Sequence, residues 1–239
     1  MKVLAVDIGG SHVKCLASGA SAPRAFASGP DLTAAAMVRG VLDATRDWRC
    51  EAVSIGYPGP VLHGAPLREP HNLGAGWVGF DYAGAFARPV KLVNDAAMQA
   101  LGSYAGGRML FLGLGTGLGS ALVVDGRVEA MELAHLPYRK GRTYEDYVGE
   151  RGRLRLGKKR WRRAVLEVID ELNAALAPDY VVLGGGNERR MKTLPAYVRR
   201  GDNANAFVGG FRLWDAAADA HADHRQRRAP HADPTRGRT

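Results

Sequence analysis

The sequence predicts an α/β protein built from two halves, and three observations predict it. A strand–glycine turn–strand unit occurs twice, as "AVDIGGSHVK" near the start and as "LFLGLGTGLGSALVVDG" at residues 110–126. Stretches with apolar residues at helical spacing alternate with short runs of strand-type residues. The pattern stops and restarts between Ala105 and Arg108, so the second half repeats the logic of the first.

In the first half, residues 2–7 read as a buried strand entering "DIGGSH", and "VKCLASG" and "RAFASG" as the next two strands of a meander. "DLTAAAMVRGVLDATRDW" places Leu32, Ala35, Ala36, Val38, Leu42, Ala44 and Thr45 at helical spacing, with Asp31 as the N-cap. "AVSIGYPGP" is a strand ending in a turn, "PVKLVND" a further strand, and "AAMQALGSYAG" a helix with glycines past its end. In the second half, "MLFLGLG" and "SALVVDG" pair around the glycine loop, with "DG" as a turn signal. "KKRWRRAVLEVIDELNAAL" is an amphipathic helix stopped by Pro178. "YVVLGGGN" is a strand entering another glycine turn, and "NANAFVGGFRLWDAA" a last helix. The division is residues 1–105 and 106–202 for the two lobes, a helix at 203–217 returning to the first lobe, and a tail at 218–239 that reads as disordered.

The chain has 239 residues, 46% hydrophobic and 24% charged, which suits a globular protein with a real core. Its apolar runs are too short for a membrane span, and the N-terminal run reads as a strand rather than a signal peptide. Two cysteines, Cys15 and Cys50, form no CxxC pair, so a reduced cytoplasm is expected and a cysteine-based metal site is excluded. The net charge of +9 suggests an anionic partner. Residues 151–163, "RGRLRLGKKRWRR", hold eight Lys or Arg and no acid. The tail histidines His221, His224 and His231 suit a frayed terminus better than a metal site.

The glycine loop at 113–119 fits neither the dinucleotide fingerprint nor a Walker loop. "GRLRLGKK" resembles a Walker loop but lacks its Ser or Thr and any preceding strand. Two readings of the loop stay open on its residues alone. Gly115, Thr116 and Gly117 could offer backbone N–H groups to an anion, or the turn could be a tight hairpin needing positive φ. In "DIGGSHVK" the Gly9, Gly10 and Ser11 amides suit phosphate contact, with Lys14 beyond, and Asp7 suits Mg²⁺ held through water. The alternative is an ordinary hairpin with a charged corner. Two such loops, one per half, point to a clamp on one polyphosphate tail.

"DIGGSHVK", "GYPGPV", "NLGAGW", "NDAAMQALG", "GLGTGLGSALVVDG" and "ELAH" stand in the order found in the ROK sugar kinases. "RKGRTYEDYVGERG", "RLGKKRWRR", "VVLGGGN" and "GDNANAFVGGFRLW" most resemble the polyphosphate-dependent glucokinases of that family, and the likeness spans about residues 2–215. The resemblance implies the two-lobed actin/hexokinase-like (ribonuclease H-like) fold. It implies a cytoplasmic kinase that phosphorylates glucose or a related hexose, at O6, using Mg²⁺ with polyphosphate or ATP.

By the same resemblance Asp95 matches the catalytic base, although its plain reading is an N-cap for the helix that follows. Asn72, Asn94, Glu132, His135 and Glu145 match sugar ligands, with Asp146 as the competitor of Glu145. Gly184, Gly185, Gly186 and Asn187 match the turn that cradles a nucleotide. Family members commonly carry a zinc-binding cysteine cluster after the histidine, but "HLPYRKGRTYE" has none. Zinc is therefore not expected, and packing of Tyr138, Tyr144 and Tyr147 must order that loop. Relatives are commonly homodimers.

Polyphosphate carries about one negative charge per unit and behaves toward a basic track much as a nucleic-acid backbone does. The track would be 151–163, with Arg139, Lys140 and Arg142 nearby, and with Lys158, Lys159, Arg162 and Arg163 turned away from Trp161 and Val165. The rival readings are a solvated helix face, a catalytically silent sugar sensor, and a nucleic-acid-binding protein. No helix-turn-helix precedes Asp7, which weighs against the family's repressor branch.

Overall fold

The computed structural model describes residues 1–215. The predicted tail and its histidines lie outside the described residues, as do Ala216 and Ala217 of the predicted last helix.

The first half forms β1 (Val3–Ile8), β2 (His12–Ala17), β3 (Arg24–Ala27), α1 (Ala34–Ala44), β4 (Ala52–Tyr57), the small hairpin β5 (Val61–Leu62) and β6 (Ala65–Pro66), α2 (Tyr82–Phe86), β7 (Val90–Asn94) and α3 (Asp95–Ser103). The second half forms β8 (Arg108–Leu114), β9 (Leu118–Val124), β10 (Arg127–Met131), a 3₁₀ turn at Leu133–His135, α4 (Tyr144–Val148), α5 (Glu150–Leu176), β11 (Tyr180–Gly184), a 3₁₀ turn at Glu188–Arg190, β12 (Val198–Arg200) and α6 (Asn205–Arg212).

The two large sheets have the same topology. One runs β3-β2-β1-β4-β7 and the other β10-β9-β8-β11-β12. In each, an antiparallel meander supplies three strands and two further strands add in parallel. Parallel strands buried on both faces read as continuous apolar runs, and β4 and β11 are buried at every position. The predicted "DG" turn is present, with Asp125 and Gly126 both at positive φ.

Three local expectations are corrected. The cap of α1 is Thr33, whose hydroxyl accepts the Ala36 N–H at 3.2 Å, and Asp31 stays outside the helix. The buried face of α1 is Ala34, Met37, Val38 and Val41, one position off the predicted stripe. In an alanine-rich helix the large residues Met37 and Val41 set the face, because they bury the most area. The basic stretch begins the long α5, not a helix starting at Lys158. Gly157 breaks α5 with φ 74° and ψ 164°, so two helical segments meet there.

Helix α3 joins the halves. Ala96, Ala97 and Ala100 pack on Met109, Phe111, Ala121 and Val182 of the second sheet. Met98 and Leu101 face α6. The helices approach so closely that a Cβ on Gly209 would stand 1.7 Å from the Met98 carbonyl oxygen, and one on Gly102 would stand 1.8 Å from that of Asn205. Arg212 of α6 donates to the Leu101 and Tyr104 carbonyls at 2.8 and 3.0 Å, satisfying the open C-terminus of α3. Ser54 of β4 donates to Gly210 O at 2.5 Å and accepts from Trp214 Nε1 at 2.8 Å, which ties α6 to the first sheet.

Gly209→Ala therefore puts a methyl group into the backbone of α3. We expect a loss of about 2 to 3 kcal/mol of stability, read as a lower urea midpoint, while the exposed neighbour variant Val208→Ala stays near wild type.

Candidate active site

Each sheet ends at the cleft in a glycine turn, and the two turns are built alike. In the first, Gly9 N–H donates to His12 O at 3.0 Å, and Ser28 Oγ donates to Gly9 O at 2.6 Å. In the second, Gly115 N–H donates to Gly117 O at 3.1 Å. The next two N–H groups of each turn, Gly10 and Ser11 or Thr116 and Gly117, meet no acceptor among the described residues. The amides of Gly9 and Gly115, expected to face phosphate, are thus used inside their turns, and the other four remain available.

The glycines at 113–119 are explained by close approach rather than by backbone angle, since none has positive φ. The hairpin reading that needed positive φ is corrected accordingly. A Cβ on Gly119 would stand 2.8 Å from Cβ of Ala96, and one on Gly117 would stand 2.1 Å from Glu145 Oε2. Gly115 has open space in front of it. Larger residues would displace the start of α3 and the Glu145 carboxylate, so the turn requires glycine at both positions.

Asp95 is the first residue of α3. The cap is its neighbour: Asn94 Oδ1 accepts the Ala97 N–H at 3.1 Å, and Asn94 Nδ2 donates to Gly59 O at 3.1 Å. That corrects the cap assignment for Asp95, and it shows Asn94 holding the helix start with both ends of its amide. The Asp95 carboxylate accepts the Ala96 N–H at 2.7 Å. Burial pushes its pKa up to about 7, with Asp7 and then Glu132 adding to the rise and the Ala96 N–H opposing it. Asp7, at the end of β1, is also raised by burial, and Lys14 offsets part of the rise. Lys14 lies opposite Asp7 in the β1–β2 register.

Of the other predicted residues, Glu132 acts on Asp95, and Asn72 and Glu145 lie at the two glycine turns. Asn72 is exposed and lies against the first turn, its Cβ 4.0 Å from where a Gly10 Cβ would be. His135 Nε2 stands 3.5 Å from Glu132 Oε2, both side chains largely exposed on the 3₁₀ turn after β10. Glu145 accepts the Leu118 N–H at 3.3 Å, so it braces the second glycine turn. Asp146 is excluded as its competitor, because it closes a capping box with Thr143. The tyrosine cluster is present: Tyr138 meets Tyr144 at 5.3 Å and Tyr147 at 4.9 Å between ring centroids. Tyr138 and Tyr144 hydroxyls donate to Glu167 and Glu171 of α5, each at 2.9 Å.

The Gly184–Gly186 turn packs on the second glycine turn. Gly185, at φ 83°, leaves no room for a Cβ, which would stand 2.4 Å from Leu114 O, while Gly186 is open. Asn187 is buried and holds protein groups instead of facing the cleft. Its Nδ2 donates to Gly115 O at 3.2 Å and to Glu150 Oε2 at 2.9 Å, and its Oδ1 accepts from Arg190 Nε at 2.8 Å.

Sequence reasoning missed two organising carboxylates. Glu150 joins Asn187 to Arg153, and Glu69 accepts the Trp77 and Val78 N–H groups, fixing the loop that carries Asn72. Glu69 stands outside the motifs and Glu150 within one that carries no role for it, and their partners Trp77 and Asn187 lie eight and 37 positions away.

The basic stretch divides. Arg153 pairs with Glu150 and Arg163 with Glu167, which also takes Arg139. Lys158 and Arg162 flank Trp161 at a small cleft rather than turning away from it, so that expectation is corrected. "GRLRLGKK" lies on a helix, in keeping with its rejection as a phosphate loop.

For a divalent cation, the residues fit the hard-ion pattern of one or two carboxylates completed by water and substrate phosphate. Asp7 and Asp95 are half-buried, both have raised pKa values, and Lys14 offsets part of the rise at Asp7. Among the described residues no three His, Cys, Asp or Glu side chains gather as a metal cage, and no helix is long and apolar enough to cross a membrane.

No family model matches the chain. It is 29% identical over 200 residues to the polyphosphate glucokinase of Mycobacterium tuberculosis, covering 76% of this chain and 69% of that one. The inorganic polyphosphate/ATP-glucomannokinase of Arthrobacter sp. strain KM superposes with a TM-score of 0.75 at 21% identity, over 87% of this chain and 96% of that one. A ROK family glucokinase of Streptomyces griseus, solved with glucose and AMPPNP, gives 0.68 at 18% identity, over 89% and 99%. By sequence the chain is similar to polyphosphate glucokinases, and by fold to sugar kinases that include a ROK family glucokinase. The fold is the actin/hexokinase-like one, and both structures match it over nearly their whole length.

The raised pKa of Asp95 has a stability cost with a definite sign. The folded state keeps the proton to about pH 7 and the unfolded chain loses it near the ordinary aspartate value of 3.8. The contribution of Asp95 is therefore most favourable below pH 4 and is lost as pH rises through 7. Without divalent metal, Asp95→Asn should be more stable than wild type at pH 8 by roughly 2 to 4 kcal/mol. The two should converge near pH 4, as thermal melts across that range would show.

Proposed function

We propose that the protein is a hexose kinase that transfers a phosphoryl group from inorganic polyphosphate or ATP to glucose, at O6, in the cytoplasm. The observation that carries the reading is Asp95. It sits at the joint of the lobes, between two turns that present free N–H groups, with a pKa near the working pH of a general base.

The sugar enters between the lobes. Asn72, Glu132, His135 and Glu145 are placed to bind its hydroxyls. The Asp95 carboxylate takes the proton of the attacking hydroxyl as its oxygen forms the new bond to phosphorus. The bridging P–O bond of the donor breaks, and the donor leaves shorter by one phosphate. The Gly10, Ser11, Thr116 and Gly117 amides and Lys14 hold the charge that spreads over the transferring group. Asp7 would hold Mg²⁺ through water, and that ion, when bound, neutralises donor phosphates. Support for glucose and for both donors comes from the relatives: the curated ones are named polyphosphate glucokinases, and the Arthrobacter enzyme is named for polyphosphate, ATP, glucose and mannose.

A coupled glucose 6-phosphate assay with Mg²⁺ and either donor tests the proposal. Wild type should turn over, and its rate should climb with pH through about 7 as Asp95 loses its proton. Asp95→Ala should lose on the order of 10²-fold or more in kcat with glucose binding retained. No product with either donor across a hexose panel would leave a silent sugar sensor as the reading.

A further inference from the structure

A second cationic site lies beside the second glycine turn. Arg153, Lys158, Arg162 and Arg190 line a cleft of about 230 Å³ floored by Trp161. Among the described residues Glu150, on Arg153, is the one carboxylate paired with these four cations. Arg162 donates to the Arg190 carbonyl at 2.7 Å, Arg190 donates to Asn187, and Lys158 has no hydrogen-bond or ion-pair partner among the described residues. Glu188, the nearest other acid in sequence to Arg190, is taken by Arg200. One carboxylate against four cations leaves most of the charge unneutralised, which favours an anion with several charges.

The cleft is wired to the turn. Glu150 accepts from Asn187 Nδ2 at 2.9 Å, and the same Nδ2 donates to Gly115 O at 3.2 Å. The Glu150 N–H donates to Thr116 O at 3.0 Å. An anion that starts at the free amides of Thr116 and Gly117 would reach the cleft as it leaves the turn.

The lining also discriminates between donors. Trp161 is its single aromatic residue, and it is 1% exposed with its indole N–H donating to Val148 O at 2.7 Å. It offers a base no face to stack on. The volume is below the several hundred Å³ of sites that enclose drug-sized ligands, and the walls are guanidinium and ammonium groups.

We propose that this cleft is a subsite for the distal phosphates of a linear inorganic polyphosphate, beyond those held by the glycine turns. It rests on the kinase reading for its biological role, but not for its test. Residues 151–163 contribute Arg153, Lys158 and Arg162, and Arg190 comes from outside that stretch. Arg139 and Arg163, paired with Glu167, play no part.

The test is a binding measurement on the full chain, by calorimetry without sugar or turnover, using tripolyphosphate and long-chain polyphosphate. Wild type should bind the long chain at least about tenfold more tightly, and Lys158→Glu combined with Arg162→Gln should remove most of that preference, as loss of phosphate-neutralising cations requires. Lys159→Glu changes charge on the same helix outside the cleft lining and should keep the preference. Equal loss with Lys159→Glu, or a preference that survives the double variant, would overturn the subsite. So would displacement of the long chain by a single-stranded oligonucleotide of equal charge, which would mark a general polyanion surface. Failure of the kinase reading shows separately, as absent glucose 6-phosphate formation.

Discussion

The close packing of α3 between two sheets is the constraint on which the rest of the site depends. A helix can lie this near to neighbouring backbone only where the facing residues lack side chains. Gly56 and Gly119 face it from the two sheets, and Gly209 from α6, each with no room for a Cβ. Alanines on α3 complete the fit against the second sheet. The first residue of this helix is Asp95, so its carboxylate is placed by both lobes together. Its burial and its elevated pKa follow from that placement. The fold accepts an electrostatic cost at this carboxylate, a pattern that marks functional sites.

The matched topology of the sheets accounts for the rest of the cleft. Parallel strands bring their carboxyl ends to one edge, and ligands of open α/β sheets bind there. Asp7 and Asn94 end their strands at that edge, and Gly184 ends its own beside it. Each sheet adds a hairpin turn whose first amide closes the turn and whose next two remain free. The turns differ in how they are supported. The first leans on Ser28 and the Asn72 loop, which Glu69 fixes. The second leans on Glu145, Asn187 and the start of α5. Groups that would bind sugar and groups that shape the phosphate turn are therefore the same or adjacent residues.

Much of this was legible in the sequence. Strand periodicity, the paired glycine turns and the order of the motifs led to the two-lobed fold. The order of motifs pointed to Asp95, which no local pattern could separate from an N-cap. The structure gives the cap to Asn94, the residue next to Asp95, a distinction that the adjoining pair could not show in sequence. The glycines of "GLGTGLG" were ambiguous for a similar reason. A glycine needed for φ and a glycine needed for contact look identical in sequence, and here the contacts come from Ala96 and Glu145, 23 and 28 positions from their glycines. The alanine-rich α1 gave a stripe one position off, since alanine marks no face by itself. Glu69, Glu150 and Arg190 each have a partner beyond the reach of local spacing, eight, 37 and 28 positions away, and such contacts leave no periodic trace.

Helix α5 connects the two ends of the site and explains how one strongly basic segment serves two purposes. Its later turns carry Glu167 and Glu171, which take the hydroxyls of Tyr138 and Tyr144. Glu167 also neutralises Arg139 and Arg163. That end anchors the loop carrying Glu145 by packing and paired charge. The earlier turns contain no acid between Arg151 and Arg163, and Gly157 redirects the axis there. The break sets Lys158, Arg162 and Trp161 on one cleft with Arg153 from the preceding segment. Charge is thus segregated along one continuous stretch of chain, paired where a loop must be held still and mostly unpaired where an anion could lie. A formal count of eight cations in thirteen residues cannot distinguish these roles, whereas the positions of Glu150 and Glu167 can.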